Sequence, residues 1–130
     1  MRLLLDTHSF LWWTGAPERL PSSVRAALLE PANQLYLSAA SSWEIEIKTA
    51  LGRLELSLPL RSIVEREISR NGLRLLPITF DHTQHLTELE RLHRDPFDRI
   101  LMAQAVAEEM TLVSGDKQVH RYGGVSLLWG

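Results

Sequence analysis

Hydrophobic residues in this chain occur in short continuous runs, separated by longer segments with helix-like patterns. Five runs are apolar and bounded by turn residues, which is typical of strands covered on both faces. These runs span residues 2–6, 34–38, 73–78, 111–114 and 125–129. The segments that favour helices span residues 7–14, 22–29, 40–51, 60–71, 81–91 and 96–110. Strands that alternate with helices predict βαβ units and a mainly parallel sheet flanked by helices.

The composition restricts the class of protein. With 130 residues, of which 45% are hydrophobic and 23% charged, the sequence predicts one globular domain over residues 1–130. No apolar run approaches the roughly 20 residues that cross a bilayer. The absence of cysteine excludes disulfides and thiolate metal sites, which fits a cytoplasmic protein. A net charge of −2 argues against a protein that coats nucleic acid electrostatically.

Acidic residues follow two of the predicted strands. Asp6 ends the run 2–6, and Asp116 follows the run 111–114 after a single glycine. In an open parallel sheet, ligands bind beyond the carboxyl ends of the strands. Glu44 and Asp98 lie near the starts of two predicted helices, and we expect them to converge on the same point. Carboxylates gathered in this way repel one another and need a counter-ion, for which oxygen ligands indicate Mg²⁺ or Mn²⁺.

Three of these carboxylates also have a purely structural interpretation. Asp6 could cap the helix that follows it, and Asp116 could be an ordinary turn residue. Glu44 could pair with Lys48 one helical turn later. The patterns alone leave both interpretations open.

Asp98 lies on a helix whose start has its own chemistry. Asp95 is a favourable N-cap, and Pro96 is favoured at the first helical position. Asp98 then falls at the third position, where a carboxylate interacts well with the helix dipole without any catalytic role. The segment 96–110 is apolar around most of its circumference, which is typical of a buried helix. We interpret Asp95 mainly as the cap and Asp98 as the metal ligand.

Aromatic and histidine residues give further expectations. Trp43 and Ile47 predict the buried stripe of the helix 40–51, and Trp129 is also expected in the core. Trp12 and Trp13 cannot both face inward from one helix, so one of them is expected at an interface. The histidines lack the spacing of a metal site and are expected at the surface: His8, His82, His85, His93 and His120.

Several segments together resemble the PIN-domain family, and specifically the VapC-type toxin ribonucleases of bacterial toxin–antitoxin pairs. The matching segments occur in the same order and at matching separations, and with their spacing they cover nearly the whole chain. They are residues 3–8, 42–48 with 52–54, 93–105 (beginning His93-Arg94-Asp95-Pro96-Phe97-Asp98) and 112–116.

The resemblance implies an α/β fold, a PIN-like three-layer sandwich with a short, mainly parallel five-stranded sheet. It implies a metal-dependent endoribonuclease that hydrolyses RNA phosphodiester bonds with Mg²⁺ or Mn²⁺ in an acidic pocket. It also implies a homodimer and a cognate antitoxin that blocks the groove. By position, the catalytic and metal-binding residues are Asp6, Glu44, Asp98 and Asp116. Thr7 and Ser114 fall where members of the family often have a supporting hydroxyl. Asp95, three residues before Asp98 at the start of the same helix, is a further candidate for a supporting role.

Basic residues near these positions are candidates for contact with the RNA backbone. They are Lys48, Arg53, Arg99 and Lys117. One departure from the family pattern is Gly115, since many relatives have a basic residue beside the fourth acid. No stacking aromatic residue is evident near the basic candidates, so RNA shape and groove geometry are expected to set specificity.

Two other functions fit parts of the pattern. One is a catalytically silent PIN-fold module that binds RNA or protein. The other is a receiver-like phosphoacceptor domain, which also gathers acids on an α/β fold. A receiver-like domain requires an acid pair after the first strand and an acceptor aspartate after a middle strand. This chain has Asp6 alone at the first position, and the run 34–38 ends without an acid.

Overall fold

The computed structural model describes all 130 residues and contains one five-stranded sheet. The strands are β1 (Arg2–Leu5), β2 (Gln34–Ser38), β3 (Arg74–Leu76), β4 (Thr111–Val113) and β5 (Leu127–Leu128). All neighbouring strands pair in parallel, in the order β3-β2-β1-β4-β5. The predicted parallel five-stranded sheet is therefore confirmed, and each strand lies within a run expected from the hydrophobic pattern.

Six α-helices connect and cover the strands. They are α1 (Thr7–Gly15), α2 (Ser22–Leu29), α3 (Ala39–Ala50), α4 (Leu60–Asn71), α5 (Phe80–His85) and α6 (Pro96–Ala107). Short 3-10 turns occur at Pro17–Arg19, Leu86–Glu88 and Val119–Arg121. None of the helices combines the length and the hydrophobicity needed to cross a membrane.

The sheet separates two apolar cores, as expected for a three-layer sandwich. Successive side chains of a strand point to opposite faces, and β1 shows this directly. Leu4 packs on one face with the residues of α6, whereas Leu3 and Leu5 pack on the other face with α1, α2 and α4. All three leucines are fully buried. Because both faces are covered, the strands read as continuous apolar runs in the sequence.

The order of the strands reverses beside β1. The chain adds β2 and β3 on one side of β1 and then adds β4 and β5 on the other side. Such a reversal opens a crevice at the carboxyl ends of the two strands that flank it, which is where open α/β sheets bind ligands. Here those strands are β1 and β4, and the residues that follow them are Asp6 and Ser114. The topology thus places the first and last predicted acids at one crevice.

Two helices are shorter than the sequence pattern predicts. The segment 81–91 was expected to be one helix, but α5 ends at His85 and is followed by the 3-10 turn Leu86–Glu88. Helix α6 ends at Ala107 rather than at residue 110 because Glu109 adopts a left-handed conformation with φ of 55°. Left-handed helix ends normally carry glycine. Since a glutamate occupies this position, the sequence gives no signal for the end.

The buried face of α3 differs from the predicted one. Trp43 was expected in the core but is 61% exposed, and Ile47 is 36% exposed. The inward face instead contains Ala40, Ser41, Glu44 and Ile45. The exposed indole of Trp43 packs edge-on against Phe97, with ring centroids 5.4 Å apart. The prediction failed because a carboxylate faces inward and a tryptophan outward, contrary to their ordinary preferences.

His82 was also expected at the surface, but it is 1% exposed. Its Nδ1 accepts a hydrogen bond from the backbone N–H of Thr79, and its Nε2 lies 2.9 Å from the Glu108 carboxylate. The Thr79 hydroxyl in turn accepts from the His82 N–H, which completes a capping box at the start of α5. His82 therefore joins α5 to the end of α6 and has a structural role.

Candidate active site

Asp6 is a buried carboxylate at the end of β1, with 5% of its surface exposed. Its Oδ1 accepts a hydrogen bond of 2.8 Å from the Ser9 N–H, so Asp6 is the N-cap of α1. Burial raises the pKa of the Asp6 carboxyl, although hydrogen bonds from Ser9 and Ser114 act in the opposite direction. Asp6 can therefore both cap α1 and bind a metal ion. One of its oxygens caps the helix, and the carboxylate as a whole is still poorly solvated and would gain from a positive partner.

Thr7 connects the start of α1 to Glu44 on α3. The Thr7 hydroxyl lies 2.6 Å from Glu44 Oε1 and 3.1 Å from the Ser41 hydroxyl. The second oxygen of Glu44 accepts a hydrogen bond of 2.7 Å from Lys48 Nζ, as the structural interpretation of this pair expected. Glu44 is buried, and Lys48 compensates its charge. The structure thus places Glu44 beside the residue that follows Asp6, with its charge already paired.

Asp95 and Asp98 have separate roles at the start of α6. Asp95 Oδ1 accepts hydrogen bonds from the N–H groups of Phe97 and Asp98, at 2.8 and 3.3 Å, so Asp95 is the N-cap. The Asp98 side chain is 17% exposed and points to other charged groups. The helix start thereby fixes the position from which Asp98 reaches the crevice.

Replacing Asp95 with alanine is expected to lower the free energy of unfolding by about 0.5–2 kcal/mol, through loss of the cap. Asn at the same position keeps the hydrogen-bond acceptor and is expected to cost far less, which makes Asp95→Asn the matched control. Urea unfolding curves of the three proteins measure the difference. Equal stability of the alanine variant and the parent would contradict the capping role.

Ser114 and Asp116 form a turn immediately after β4. The Ser114 side chain is fully buried, and its hydroxyl accepts a hydrogen bond of 3.2 Å from the Asp116 N–H. Asp116 Oδ1 accepts from the Gln118 N–H at 2.7 Å, so the turn expected for Asp116 is present. Its other oxygen, Oδ2, faces the start of α6 and remains available.

His93, which was expected at the surface, lies between two of the carboxylates. Its Nε2 is 2.7 Å from Asp98 Oδ2 and 3.7 Å from Asp116 Oδ2, and its side chain is only 15% exposed. One ligand atom from each of these residues can be chosen so that all lie within 4.8 Å of one another. Two carboxylates and an imidazole at this spacing form a donor set that could surround a single divalent cation.

The loop that carries His93 is held by the hydroxyl of Tyr122. This oxygen accepts hydrogen bonds from the N–H groups of Leu92 and His93, at 3.2 and 2.9 Å. The Arg99 guanidinium also reaches the hydroxyl, at 3.1 Å, and donates to the carbonyls of Glu90 and Leu86. The Tyr122 hydroxyl and Arg99 together therefore fix a loop that has no regular secondary structure.

The closeness of the acids affects their electrostatics. Burial raises the pKa of Asp98 to about 6, and the negative charges of Asp95, Asp116 and Asp6 add to the rise, while the hydrogen bond from His93 lowers it. A carboxyl with this pKa exchanges its proton near neutral pH. A bound cation would remove the repulsion that raises it, so the donor set and the charge both fit a divalent metal ion.

The four predicted basic residues differ in their surroundings. Lys48 pairs with Glu44, and Arg99 is engaged by the loop 86–93. Arg53 and Lys117 are exposed. A cavity of about 590 Å³ beside His93 is instead lined by Arg91, Arg94 and Arg99, and the sequence pattern had given no reason to choose Arg91 or Arg94.

Sequence reasoning missed His93 because no spacing links it to other metal ligands. The available signal was its position two residues before Asp95, the cap of α6, in the segment His93-Arg94-Asp95. A residue just before an N-cap, such as His93, lies near the first turn of the helix. Its side chain can therefore reach the acid at the third helical position, which here is Asp98. The distance along the chain from His93 to the other histidines gives no sign of this geometry.

Comparisons with known proteins identify the family of the chain. A family model described as PIN domain matches residues 3–125. Ribonuclease VapC22 of Mycobacterium tuberculosis (strain ATCC 25618 / H37Rv) is 28% identical over 130 residues, with 98% of each chain covered. Ribonuclease VapC16 of the same organism is 38% identical over 64 residues, which cover 49% of this chain and 45% of the relative.

Solved structures with the same fold include two VapBC structures bound to DNA. The structure of VapBC2 from Rickettsia felis bound to a promoter DNA fragment aligns with a TM-score of 0.75, at 19% identity and with 100% of both chains covered. DNA-bound VapBC from Salmonella typhimurium aligns with a TM-score of 0.71, at 18% identity, covering 98% of this chain and 97% of the other. The family match over nearly the whole length confirms the resemblance found in the sequence, and this chain belongs to the PIN domain family.

Proposed function

We propose that this chain is a divalent-metal-dependent endoribonuclease and the toxin of a toxin–antitoxin pair, with residues 1–130 forming a single nuclease domain. The observation that carries the proposal is the convergence of His93, Asp98 and Asp116 on one small volume beside Asp6, at the crevice between β1 and β4. The relatives named ribonuclease support it.

Asp98, Asp116 and Asp6 are the proposed metal-binding carboxylates, and His93 is a candidate nitrogen ligand. When bound, Mg²⁺ or Mn²⁺ would supply an activated water and neutralise charge on the phosphate. Ser114 holds the backbone of Asp116 in place, and Ser9 fixes one oxygen of Asp6. Preorganised ligands of this kind cost no rearrangement when the substrate binds.

Glu44 has a different proposed part, because its two oxygens already have partners. Thr7 fixes one oxygen and Lys48 the other. A buried carboxylate held in this manner can orient a water molecule or accept its proton. Lys48 then balances the negative charge of Glu44. This role is an alternative to the predicted contact of Lys48 with the RNA backbone.

The RNA backbone is proposed to follow the cavity beside His93. Arg91 and Arg94 are exposed there, and their side chains form no ion pair within the chain. Positive side chains that neutralise phosphates release counter-ions, so their contribution depends on salt. The exposed Arg53 and Lys117 remain further candidates.

Arg94→Ala and Arg99→Ala are expected to behave differently. The first should weaken RNA binding for every sequence and lower the slope of log K against log[salt] by about one. The second should lower the melting temperature, because it removes the hydrogen bonds to Leu86, Glu90 and Tyr122. Salt-dependent binding assays and thermal melts separate the two effects. Loss of stability in the Arg94 variant would argue against this division.

Cleavage of RNA with and without a chelator tests the proposed function. Purified protein should cut single-stranded RNA in the presence of Mn²⁺ or Mg²⁺ and lose that activity in EDTA. Expression in a bacterium without the antitoxin should arrest growth, while co-expression should restore it. A folded protein that binds RNA or the antitoxin but cleaves nothing would favour the catalytically silent module.

A protein partner is proposed to restrain the site, as the VapBC complexes suggest. An arginine from that partner, placed among the four acids Asp6, Glu44, Asp98 and Asp116, would pair with the carboxylates and compete with the metal. This partner and a cytoplasmic location remain predictions.

We also propose a homodimer and assign its anchor to α3. Neither Trp12 nor Trp13 is left fully exposed. Both pack against the second core, which is the one that contains Leu3 and Leu5, and Trp13 Nε1 donates a hydrogen bond to Glu67. The exposed tryptophan is Trp43, which shares an apolar stripe with Ile47 and Leu51. Contiguous exposed apolar residues mark interaction surfaces.

Trp43→Ser is therefore expected to shift the protein from dimer to monomer, because a buried aromatic anchor dominates the energy of an interface. Light scattering at roughly tens of micromolar measures the change, given that a micromolar Kd corresponds to about −8 kcal/mol. Leu29→Ser, at a residue 66% exposed on α2, is the matched control. A parent protein that is strictly monomeric at this concentration would count against the dimer.

A further inference from the structure

Two tryptophans line a small cavity that two of the proposed metal-site carboxylates also line. The cavity has a volume of about 250 Å³ and is bounded by Asp6, Asp116, Trp12 and Trp129. The two ring centroids are 6.0 Å apart, and the ring planes are inclined by 45°. Both indoles are half-buried against the second core. The core therefore supports the rings, while part of each remains accessible from the cavity.

Gly115 makes this arrangement of the rings sterically feasible. A Cβ atom at residue 115 would lie 2.4 Å from Cε2 and 2.6 Å from Cζ2 of Trp129, which is closer than real Cβ atoms approach other atoms. Any other residue at this position would push the indole away. An aromatic ring therefore lies directly against the backbone beside Asp116.

A guanidinium and an imidazole lie beside the Trp12 ring of this cavity. The Arg19 guanidinium is 4.9 Å from the centroid of the Trp12 ring, and the exposed His8 ring lies 6.1 Å from it. Aromatic rings combined with a nearby guanidinium are an arrangement by which proteins bind single-stranded nucleic acids. The sequence gave no sign of it, because Trp12 and Trp129 lie at opposite ends of the chain.

We infer that this cavity binds one unpaired nucleobase of the RNA, next to the phosphate that is cleaved. The inference rests on the proposed function, since it takes the neighbouring carboxylates as the site of cleavage. A volume of about 250 Å³ lies just below the range of pockets for drug-sized ligands, so it suits a single base rather than a helix or a stretch of peptide. The substrate is then RNA with an unpaired base beside the scissile bond, because a paired base cannot leave its stack to contact the indoles without added cost.

Binding of short single-stranded RNA to the Asp98→Asn variant tests the inference with the RNA kept intact. Asp98 does not line the cavity, so the Asp98→Asn substitution leaves the surroundings of the tryptophans unchanged. Replacing one nucleotide at a time by an abasic residue should reveal one position where affinity falls about 5- to 150-fold, the range expected for loss of one stacked base. Trp129→Ala and Trp12→Ala should weaken binding of the intact RNA by a similar factor and should make affinity insensitive to that abasic position.

Further variants distinguish loss of stacking from loss of fold. Trp129→Phe keeps an aromatic face and should retain most of the affinity, and Phe80→Ala removes an exposed aromatic residue outside the cavity and should change nothing. Thermal melts report whether each alanine variant is folded. Folded alanine variants that bind intact RNA as tightly as the parent, or that weaken only the complex with the antitoxin, would overturn the inference. Binding that depends on the cavity, together with no cleavage by the wild-type protein, would support the base-binding cavity but overturn its place beside a cleaved phosphate, along with the proposed nuclease activity.

Discussion

Asp6→Asn is expected to reduce cleavage of RNA by about 10²–10³-fold or more, the loss typical when an electrostatic contribution to the transition state is removed. Asparagine has nearly the size of aspartate but no negative charge, so it is a much weaker ligand for Mg²⁺ or Mn²⁺. The fold should survive, because asparagine is as good an N-cap as aspartate and can still accept from the Ser9 N–H. Burial also penalises the charged form of Asp6, so the variant is expected to be at least as stable as the parent.

Cleavage rates and thermal melts of the purified variant check both parts of this expectation. Asp81→Asn is a suitable control, since Asp81 lies on α5 with a side chain 74% exposed and only His85 nearby, at 3.8 Å. The control should cleave RNA at the parental rate. A folded Asp6→Asn protein with full activity, or parental activity that persists in EDTA, would remove Asp6 from the mechanism.

Asp98→Asn is expected to have opposite effects on stability and on metal binding. In the metal-free protein, the pKa of Asp98 rises from 3.8 to about 6, mainly through burial. A shift of about 2 units means that ionising Asp98 costs the folded state up to roughly 3 kcal/mol. Asparagine avoids this cost, so the variant should be more stable than the parent by about 1–3 kcal/mol near pH 7 in chelator. Its affinity for Mn²⁺ should fall, because one of the converging carboxylates is gone.

The pH dependence follows from the sign of the shift. Because the folded state holds the Asp98 proton more tightly than the unfolded state does, the metal-free protein loses this part of its stability as pH rises through the window from 3.8 to about 6. The difference between Asp98→Asn and the parent should be largest above that window and should disappear below it. Metal binding should show the opposite trend in the parent and strengthen as pH rises, since a ligating carboxylate must be deprotonated.

Urea unfolding in EDTA at several pH values, together with calorimetric titration of Mn²⁺, measures both effects. Asp95→Asn provides the control, because it removes a nearby charge but keeps the cap of α6. A variant at Asp98 that is less stable than the parent near neutral pH would mean that its hydrogen bond to His93 outweighs the cost of burial. Unchanged affinity for Mn²⁺ would exclude Asp98 as a ligand.

The sequence predicted the framework of the site because that framework depends on local patterns. Continuous apolar runs identify buried parallel strands, so the residues after β1 and β4 were expected at one edge of the sheet. The start of α6 was equally predictable, since an aspartate followed by a proline, here Asp95 and Pro96, is characteristic of a helix start.

Tertiary packing decided what the sequence could not show. Trp43 faces outward because the inward face of α3 carries Glu44, held by Thr7 from another element. His93 reaches the acids only because Tyr122, from a distant turn, fixes its loop. The left-handed conformation of Glu109 ends α6. A glycine at this position would have indicated the end of the helix in the sequence, but a glutamate does not. Each of these features depends on a residue or conformation that no local periodicity encodes.

The pairing of β1 with β4 has a consequence for the synthesis of the protein. Leu3 pairs with Thr111, and Leu5 pairs with Val113, so the strand made first finds one of its two neighbours only when most of the chain has left the ribosome. Asp116 follows that late strand, and the Tyr122 hydroxyl that holds His93 comes later still. Contacts between distant parts of a chain form slowly, since a long loop must close before they stabilise anything. A nascent chain that ends before residue 111 would carry Asp6, Glu44 and Asp98 without the geometry to use them, so activity against RNA should require synthesis of the chain through Tyr122.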